Sequence, residues 1–156
     1  ATAIHEIGHA LGFNSGVDFV DLVFSGAVPF FPPRFLVETP VIEPLDLFRY
    51  STASAPQIDL TPGGDPYFSI DGGATALTDF ATGEFLGDGD QASHWQDAAL
   101  LMSGRLAVDE LQDLTRLDLM AMDVIGWDLA RIPEPSTLIL ACLLVFAHVA
   151  TRVTSA

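Results

Sequence analysis

Two histidines near the start of the sequence are spaced so that one helix can present both to the same metal ion. The run reads His5-Glu6-Ile7-Gly8-His9-Ala10-Leu11-Gly12-Phe13, which follows the pattern H-E-x-x-H-x-x-G. On an α-helix, His5 and His9 lie one turn apart on the same face, where their imidazoles can bind one Zn²⁺. Glu6 lies beside His5, free to act as a base on water at the metal. The spacing therefore predicts a zinc site on a helix.

Gly12 is expected to end this helix, because a chain that turns sharply there favours a residue that tolerates positive φ. The glycine also makes a chance match less common, since glycine is only about 7% of an average protein. We therefore favour a metal site over a helix with two incidental histidines.

A catalytic zinc ion uses three protein ligands and one water molecule, so two histidines leave it one ligand short. A known zinc-peptidase pattern places the third histidine six residues after the second, but that position is Ser15 here. The other histidines are His94 and His148, of which His148 lies in an apolar stretch. His94 is the favoured third ligand. Asp18 and Asp21 remain alternatives, because carboxylates also bind zinc.

The charge of the chain argues against a nucleic-acid partner. The 156 residues include 21 Asp and Glu against 6 Lys and Arg, a formal net charge of −15, whereas nucleic-acid surfaces need clustered Lys and Arg. This composition suits solvated acidic loops on an exported protein that charge repulsion keeps soluble. Cys142 is the single cysteine, so no disulfide can form within this sequence.

The pattern along the chain predicts an α+β domain over residues 1–130. Its expected elements are a zinc helix to residue 13, a helix or buried segment over 17–28, an irregular stretch over 29–45, a strand over 45–50, a hairpin of 67–70 and 74–80 around Asp71-Gly72-Gly73, and a loop over 83–91. The sequence begins inside the zinc helix, although zinc peptidases have a sheet before it. We therefore expect the N-terminal part of the domain to be missing.

A core helix is expected to close the domain. Asp109 would cap it, with Gln112 in the capping-box position, and Gly126 would stop it before Trp127 folds back. The residues expected on its buried face are Leu111, Leu114, Leu117, Ala121 and Val124.

An apolar run over residues 137–150 follows an abrupt change of composition at 132–136. The run is shorter than the roughly 20 residues that cross a bilayer, and a buried terminal helix is the alternative. It is nevertheless apolar on all sides, with prolines before it and Arg152 after it. This layout favours a tail that inserts into a membrane with Arg152 on the cytoplasmic side.

At these residues the chain resembles the leishmanolysin-like branch of the metzincins. That family has an HExxHxxGF motif, a long insertion, a third histidine in a Ser-His-Trp context and then a Met-turn. The matching blocks are residues 5–13, Ser93-His94-Trp95 and Leu101-Met102. The cysteines typical of leishmanolysins are missing, so the nearest relatives are expected to be bacterial metallopeptidases.

The resemblance implies that the zinc ligands are His5, His9 and His94. It also implies that Glu6 is the catalytic acid and base and that Met102 forms the floor under the metal. The fold would be a metzincin-like zinc peptidase domain, and the protein a secreted endopeptidase acting on proteins or peptides. A different function remains open, namely an inactive surface- or matrix-binding protein that keeps zinc. Glu6 argues against it, because a structural zinc site has four ligands and needs no base.

The end of the chain has a second resemblance, to the PEP-CTERM sorting signal. It is based on Pro133-Glu134-Pro135, the apolar run and Arg152. The resemblance implies a Gram-negative bacterium, an exosortase-like processing enzyme as partner, and a location at the cell envelope, the cell surface or outside the cell. Residues 131–156 would then be a sorting and transmembrane tail that ends in a hydrophobic helix.

Overall fold

The computed structural model describes residues 2–28, 41–51, 56–105 and 111–128. In chain order, this part contains α1 (Thr2–Ala10), α2 (Val17–Phe24), a 3₁₀ helix (Pro44–Phe48), β1 (Arg49–Ser51), β2 (Gln57–Ile58), β3 (Pro66–Phe68), β4 (Thr78–Asp79) and α3 (Arg116–Val124). It is a small α+β fold, as expected. The proposed tail, with Pro133, Glu134 and Pro135, lies outside the described residues. Among those residues we find no helix with the length and apolar character that a membrane span requires.

The four strands form one antiparallel sheet in the order β2-β1-β3-β4. The expected hairpin is present but shorter, because only Tyr67 and Phe68 of β3 pair with β4. The loop that follows instead folds around Asp71, whose carboxylate accepts hydrogen bonds from Ser69 Oγ (2.7 Å) and Thr75 N (2.9 Å). These hydrogen bonds, with Ser69 contributing most, lower the pKa of Asp71 to about 2.

The prediction of a strand over residues 45–50 is wrong for residues 45–48. Residues Pro44–Phe48 form a 3₁₀ helix, and the strand begins only at Arg49. The buried carboxylate of Asp46 explains the difference, since it accepts the backbone N–H groups of Glu43 (2.9 Å) and Gly16 (2.8 Å). The first of these contacts turns the chain tightly before the strand can start.

The prediction that the last helix starts after Asp109 is also wrong. α3 begins at Arg116, because Thr115 and Asp118 form a capping box in which Thr115 Oγ1 accepts the Asp118 N–H. Asp109 lies outside the described residues. Gln112 donates to the Ala98 carbonyl (2.5 Å) instead of capping a helix.

Leu111 and Leu114 therefore precede the helix rather than forming its buried face, and their exposed fractions are 89% and 50%. The helix ends as expected, with φ +110 at Gly126 and the Trp127 N–H bonded to the Met122 carbonyl (3.0 Å).

Trp95 lies at the centre of the hydrophobic core and is fully buried. Its ring centroid is 4.8 Å from that of Phe80, 4.9 Å from Phe13 and 5.3 Å from Phe68. Aromatic pairs at such distances add about 0.5–1.5 kcal/mol each beyond burial. The core therefore joins the end of the first helical segment, the sheet and the chain that carries His94.

Asp118 connects this core to α3 and is fully buried. Its Oδ1 accepts the Trp95 indole N–H (2.9 Å) and a longer contact from the Met102 N–H (3.4 Å). Its Oδ2 accepts Thr115 N (2.8 Å) and Thr115 Oγ1 (2.6 Å). One carboxylate thus binds three separate segments of the chain.

Replacing Asp118 with alanine should lower the free energy of unfolding by about 3 kcal/mol or more, because the indole N–H and the helix cap lose a charged acceptor. Denaturant unfolding measures the change. Asp123→Ala is the matched control, since Asp123 lies in the same helix and is exposed. It should change the free energy by no more than about 0.5 kcal/mol. Equal losses in the two variants would contradict the role given to Asp118.

Candidate metal site

Three imidazole rings from distant parts of the sequence meet at one point. The Nε2 atom of His9 lies 3.1 Å from Nε2 of His5 and 3.1 Å from Nε2 of His94, and the third distance is 3.3 Å. His5 and His94 are buried, whereas His9 is half-buried. In the described part of the chain, these three residues form the group of His, Cys, Asp and Glu side chains that could hold a metal ion.

The first two histidines are placed by α1, on which they lie one turn apart. The helix ends at Ala10, and Gly12 adopts φ +108, a conformation that favours glycine. The turn brings the Phe13 carbonyl back to within 2.7 Å of His9 Nδ1. The glycine at this position therefore also helps to orient a ring of the site.

His94 is placed by backbone bonds to two neighbouring segments. Its carbonyl accepts the Ala81 N–H (2.9 Å), and its N–H donates to the Gln91 carbonyl (3.1 Å). The next residue, Trp95, donates its N–H to the Met102 carbonyl (2.9 Å). The His94 segment thus lies between residues 80–81 and residues 102–103.

Each of the three rings has its other nitrogen against a backbone carbonyl. The Nδ1 distances are 2.8 Å from His5 to Leu101 O, 2.7 Å from His9 to Phe13 O, and 3.2 Å from His94 to Gln91 O. A carbonyl oxygen only accepts hydrogen bonds, so each Nδ1 carries the proton and donates it. In the neutral ring Nε2 then bears a free lone pair, and all three lone pairs point to the same place.

Burial is the main cause that lowers the pKa of His94 to about 4. His94 is therefore neutral at pH 7, which is the form that binds metals.

This donor set fits zinc. The three Nε2 atoms lie only 3.1–3.3 Å apart, so their lone pairs repel one another. A cation that binds all three nitrogens removes this repulsion. For zinc bonds of about 2.0–2.1 Å in a tetrahedral arrangement, neighbouring nitrogens lie about 3.3–3.4 Å apart. The carbonyl partners on Nδ1 are also the kind of contact that fixes metal-binding histidines.

Met102 packs directly beneath the helix that carries His5 and His9. A Cβ atom added to Gly8 would come within 2.5 Å of the Met102 sulfur and 2.8 Å of its methyl carbon. Only glycine therefore lets the methionine approach the helix this closely. This role of Gly8 was not predicted, although a residue without a side chain between the two histidines is a visible signal in the sequence.

Glu6 is exposed on α1. Helix geometry places its side chain about 100° around the axis from His5 and about 60° from His9. It thus points to the solvent side of the histidine pair, away from the face on which Gly8 contacts Met102. Its carboxylate makes no hydrogen bond or ion pair to the residues that the structure describes, so with respect to those residues it is available to a water molecule beside the three histidines.

The alternative ligands are not part of the histidine group. Ser15 donates its hydroxyl to Asp46 (2.6 Å). The carboxylate of Asp18 accepts the Ala92 N–H (2.5 Å), and that of Asp21 accepts the N–H groups of residues 85 and 86. Each of these side chains therefore holds another part of the protein in place.

A comparison of the chain with known proteins found no match of any kind. No protein-family model matches it, no curated protein matches it, and no solved structure matches it. The assignment of a metal site therefore depends on the convergence of His5, His9 and His94, on the protonation of their rings and on the fit of the distances to zinc.

His94→Ala should lose most of its zinc on mild dialysis, because two imidazoles alone hold the ion weakly. Metal analysis of the dialysed protein measures the loss. His148→Ala removes the remaining histidine outside the site and should keep stoichiometric zinc, as should Ser15→Ala. Retention of zinc by His94→Ala together with its loss from Asp18→Ala would show that a carboxylate is the third ligand.

Proposed function

We propose that this chain carries the catalytic site of a secreted zinc-dependent endopeptidase. The observation that carries the proposal is the convergence of three Nε2 atoms, two of them from an H-E-x-x-H helix. The identity of the three ligands, the exposed glutamate beside them and the methionine beneath the helix all support it. The leishmanolysin-like metzincin resemblance predicts the same arrangement.

The number of ligands favours catalysis over a structural role. Structural zinc sites are closed by four protein ligands, whereas catalytic sites use three and keep one position open. Within the described residues, three histidines form the ligand group. The half-buried ring of His9 and the exposed Glu6 leave this group accessible from the solvent side.

A cavity of about 240 Å³ opens beside His94. Its lining residues are Glu84, Gly89, Asp90, Gln91, His94 and Gly104. It is large enough to receive part of a peptide next to the candidate site. This cavity supports the proposal, since a peptide substrate would need space beside the third ligand.

The residues of the chain have distinct roles in the proposed reaction. Zinc held at Nε2 of the three histidines would supply a Lewis acid that polarises the peptide carbonyl and makes water more acidic. The carbonyl groups bonded to the three Nδ1 atoms keep the rings aimed at one point. The Glu6 carboxylate accepts a proton from the attacking water and then donates it to the nitrogen of the leaving amine.

Glu6→Gln should keep its zinc but cleave casein about 10²- to 10⁴-fold more slowly, the usual contribution of a general base. Zinc content and cleavage rate are measured on the same preparation. Asp113→Asn is the control, because it also neutralises an exposed carboxylate, in the segment before α3, and should cleave at the parent rate. Unchanged cleavage by Glu6→Gln would remove Glu6 from the mechanism. Bound zinc with no turnover of any peptide by the parent would favour the inactive binding protein.

We further propose that residues 133–152 act as a sorting signal read by an exosortase-like enzyme. The support is the sequence alone, with Pro133-Glu134-Pro135 ahead of an apolar run and Arg152 after it. The protein would then be exported and reside at the cell envelope, at the cell surface or outside a Gram-negative cell.

Cleavage at this signal should give a mature protein that ends near Pro135, because the processing enzyme removes the apolar segment. Intact-mass measurement of native material, isolated from outside the cytoplasm, tests this expectation. A mass that still includes residues 136–156 would indicate a simple membrane anchor instead.

A further inference from the structure

The peptide group between Gln91 and Ala92 is hydrogen-bonded through both its N–H and its carbonyl. Its N–H donates to Oδ1 of Asp18 at 2.5 Å, and its carbonyl accepts the Nδ1 proton of His94 at 3.2 Å. The carboxylate, the peptide and the imidazole therefore form one continuous chain of hydrogen bonds. This series of hydrogen bonds ends at the ring of His94, whose Nε2 atom faces His5 and His9.

The surroundings of the Asp18 carboxyl extend to Ser93, the residue just before His94, whose hydroxyl and backbone act to lower the Asp18 pKa. Burial raises the pKa of Asp18, while the hydrogen bonds from Ser93 and Ala92 act in the opposite direction. This half-buried carboxylate is thus stabilised in part by the segment whose N–H it accepts.

Arg49 holds the same segment from the other direction. Its guanidinium, which is only 1% exposed, donates to the carbonyls of Ala92 (3.0 Å) and Ala81 (2.7 Å). The backbone of Ala92 is thus bonded to a carboxylate through its N–H and to a guanidinium through its carbonyl. The position of the backbone before His94 is fixed by charged side chains from α2 and β1.

His94 needs this restraint more than the other two histidines. Its Nδ1 contact is 3.2 Å long, whereas those of His5 and His9 are 2.8 and 2.7 Å. Its ring is therefore held less firmly by its own hydrogen bond and depends more on the placement of its backbone. An acceptor on the N–H of a peptide also strengthens the carbonyl of that peptide as an acceptor.

We propose that Asp18 is a positioning residue for the third metal ligand. By accepting the Ala92 N–H, it holds and polarises the Gln91–Ala92 peptide, which in turn orients the His94 ring toward the other two Nε2 atoms. Asp18 does this without touching the metal. The inference rests on the proposed zinc site and adds a partner behind one of its ligands.

Asp21 provides a matched control on the same helix. Its carboxylate is 1% exposed and accepts the backbone N–H groups of Phe85 and Leu86, both at 2.9 Å. It therefore resembles Asp18 in kind, because both are α2 carboxylates that accept backbone N–H groups of the loop before His94. The segment that it holds, however, contributes no side chain to the histidine group.

The experiment compares the full chain with Asp18→Asn and Asp21→Asn. Zinc affinity is measured by competition with a chelator, and the visible spectrum is recorded after loading with Co²⁺. Asp18→Asn should bind zinc about 10- to 100-fold more weakly, as is typical when a partner behind a ligand is lost, and should have an altered cobalt spectrum. Asp21→Asn should keep the parent spectrum and an affinity within about threefold of the parent value, whatever stability it loses.

A second measurement uses the parent chain alone, so it does not depend on a variant that folds. If the Asp18 contact favours zinc, zinc must favour the contact to the same extent. Adding zinc should therefore slow hydrogen exchange at the Ala92 amide, which Asp18 holds, and leave the Phe85 amide, which Asp21 holds, unchanged.

The outcomes separate this inference from the proposed function. Failure of the parent to bind zinc overturns the proposed function, and the positioning role with it. Zinc bound equally tightly by all three chains, or an Ala92 amide that zinc does not protect, overturns the positioning role alone. Equal weakening in Asp18→Asn and Asp21→Asn also overturns it, since the effect would then be general destabilisation.

Discussion

The hydrogen bond from the Trp95 indole to Asp118 connects the hydrophobic core to α3. Trp95 packs against aromatic rings from the end of the first helical segment and from the sheet, and it directly follows His94 in the chain. Asp118 also caps α3 and contacts the Met102 N–H. The core, the last helix and the segment beneath the histidines are therefore fixed by a single buried carboxylate and its indole partner.

Buried carboxylates organise much of the remaining structure in the same way. Regular hydrogen bonding is limited here, because the described strands are only two or three residues long. Backbone N–H groups of loops are satisfied instead by aspartate side chains, which are strong acceptors when charged. Aspartates that do so include the buried Asp21, Asp46 and Asp118 and the half-buried Asp18. The acidic composition is thus partly structural, although the sequence was consistent with solvated acidic loops alone.

The histidine group shows how backbone geometry can set the chemistry of a site. All three Nδ1 atoms donate to main-chain carbonyls, so the protonation of the rings is decided by the fold rather than by neighbouring acidic side chains. Two of those carbonyls belong to Leu101, in the chain before Met102, and to Phe13, just after the Gly12 turn. The segment that ends at Met102 and the turn that ends α1 therefore also orient the rings of His5 and His9.

The sequence determined the local features by itself, because they depend on residues close together in the chain. The spacing of His5 and His9 on one helix, the turn at Gly12 and the end of α3 at Gly126 follow from helix geometry and from glycine backbone freedom. The tertiary structure decided what depends on distant residues. Packing around Trp95 brings His94 to α1 and Met102 beneath Gly8. The sequence suggested Asp18 as a ligand, yet the fold directs its carboxylate to a backbone N–H, because hydrogen-bond partners far apart in sequence are chosen by packing.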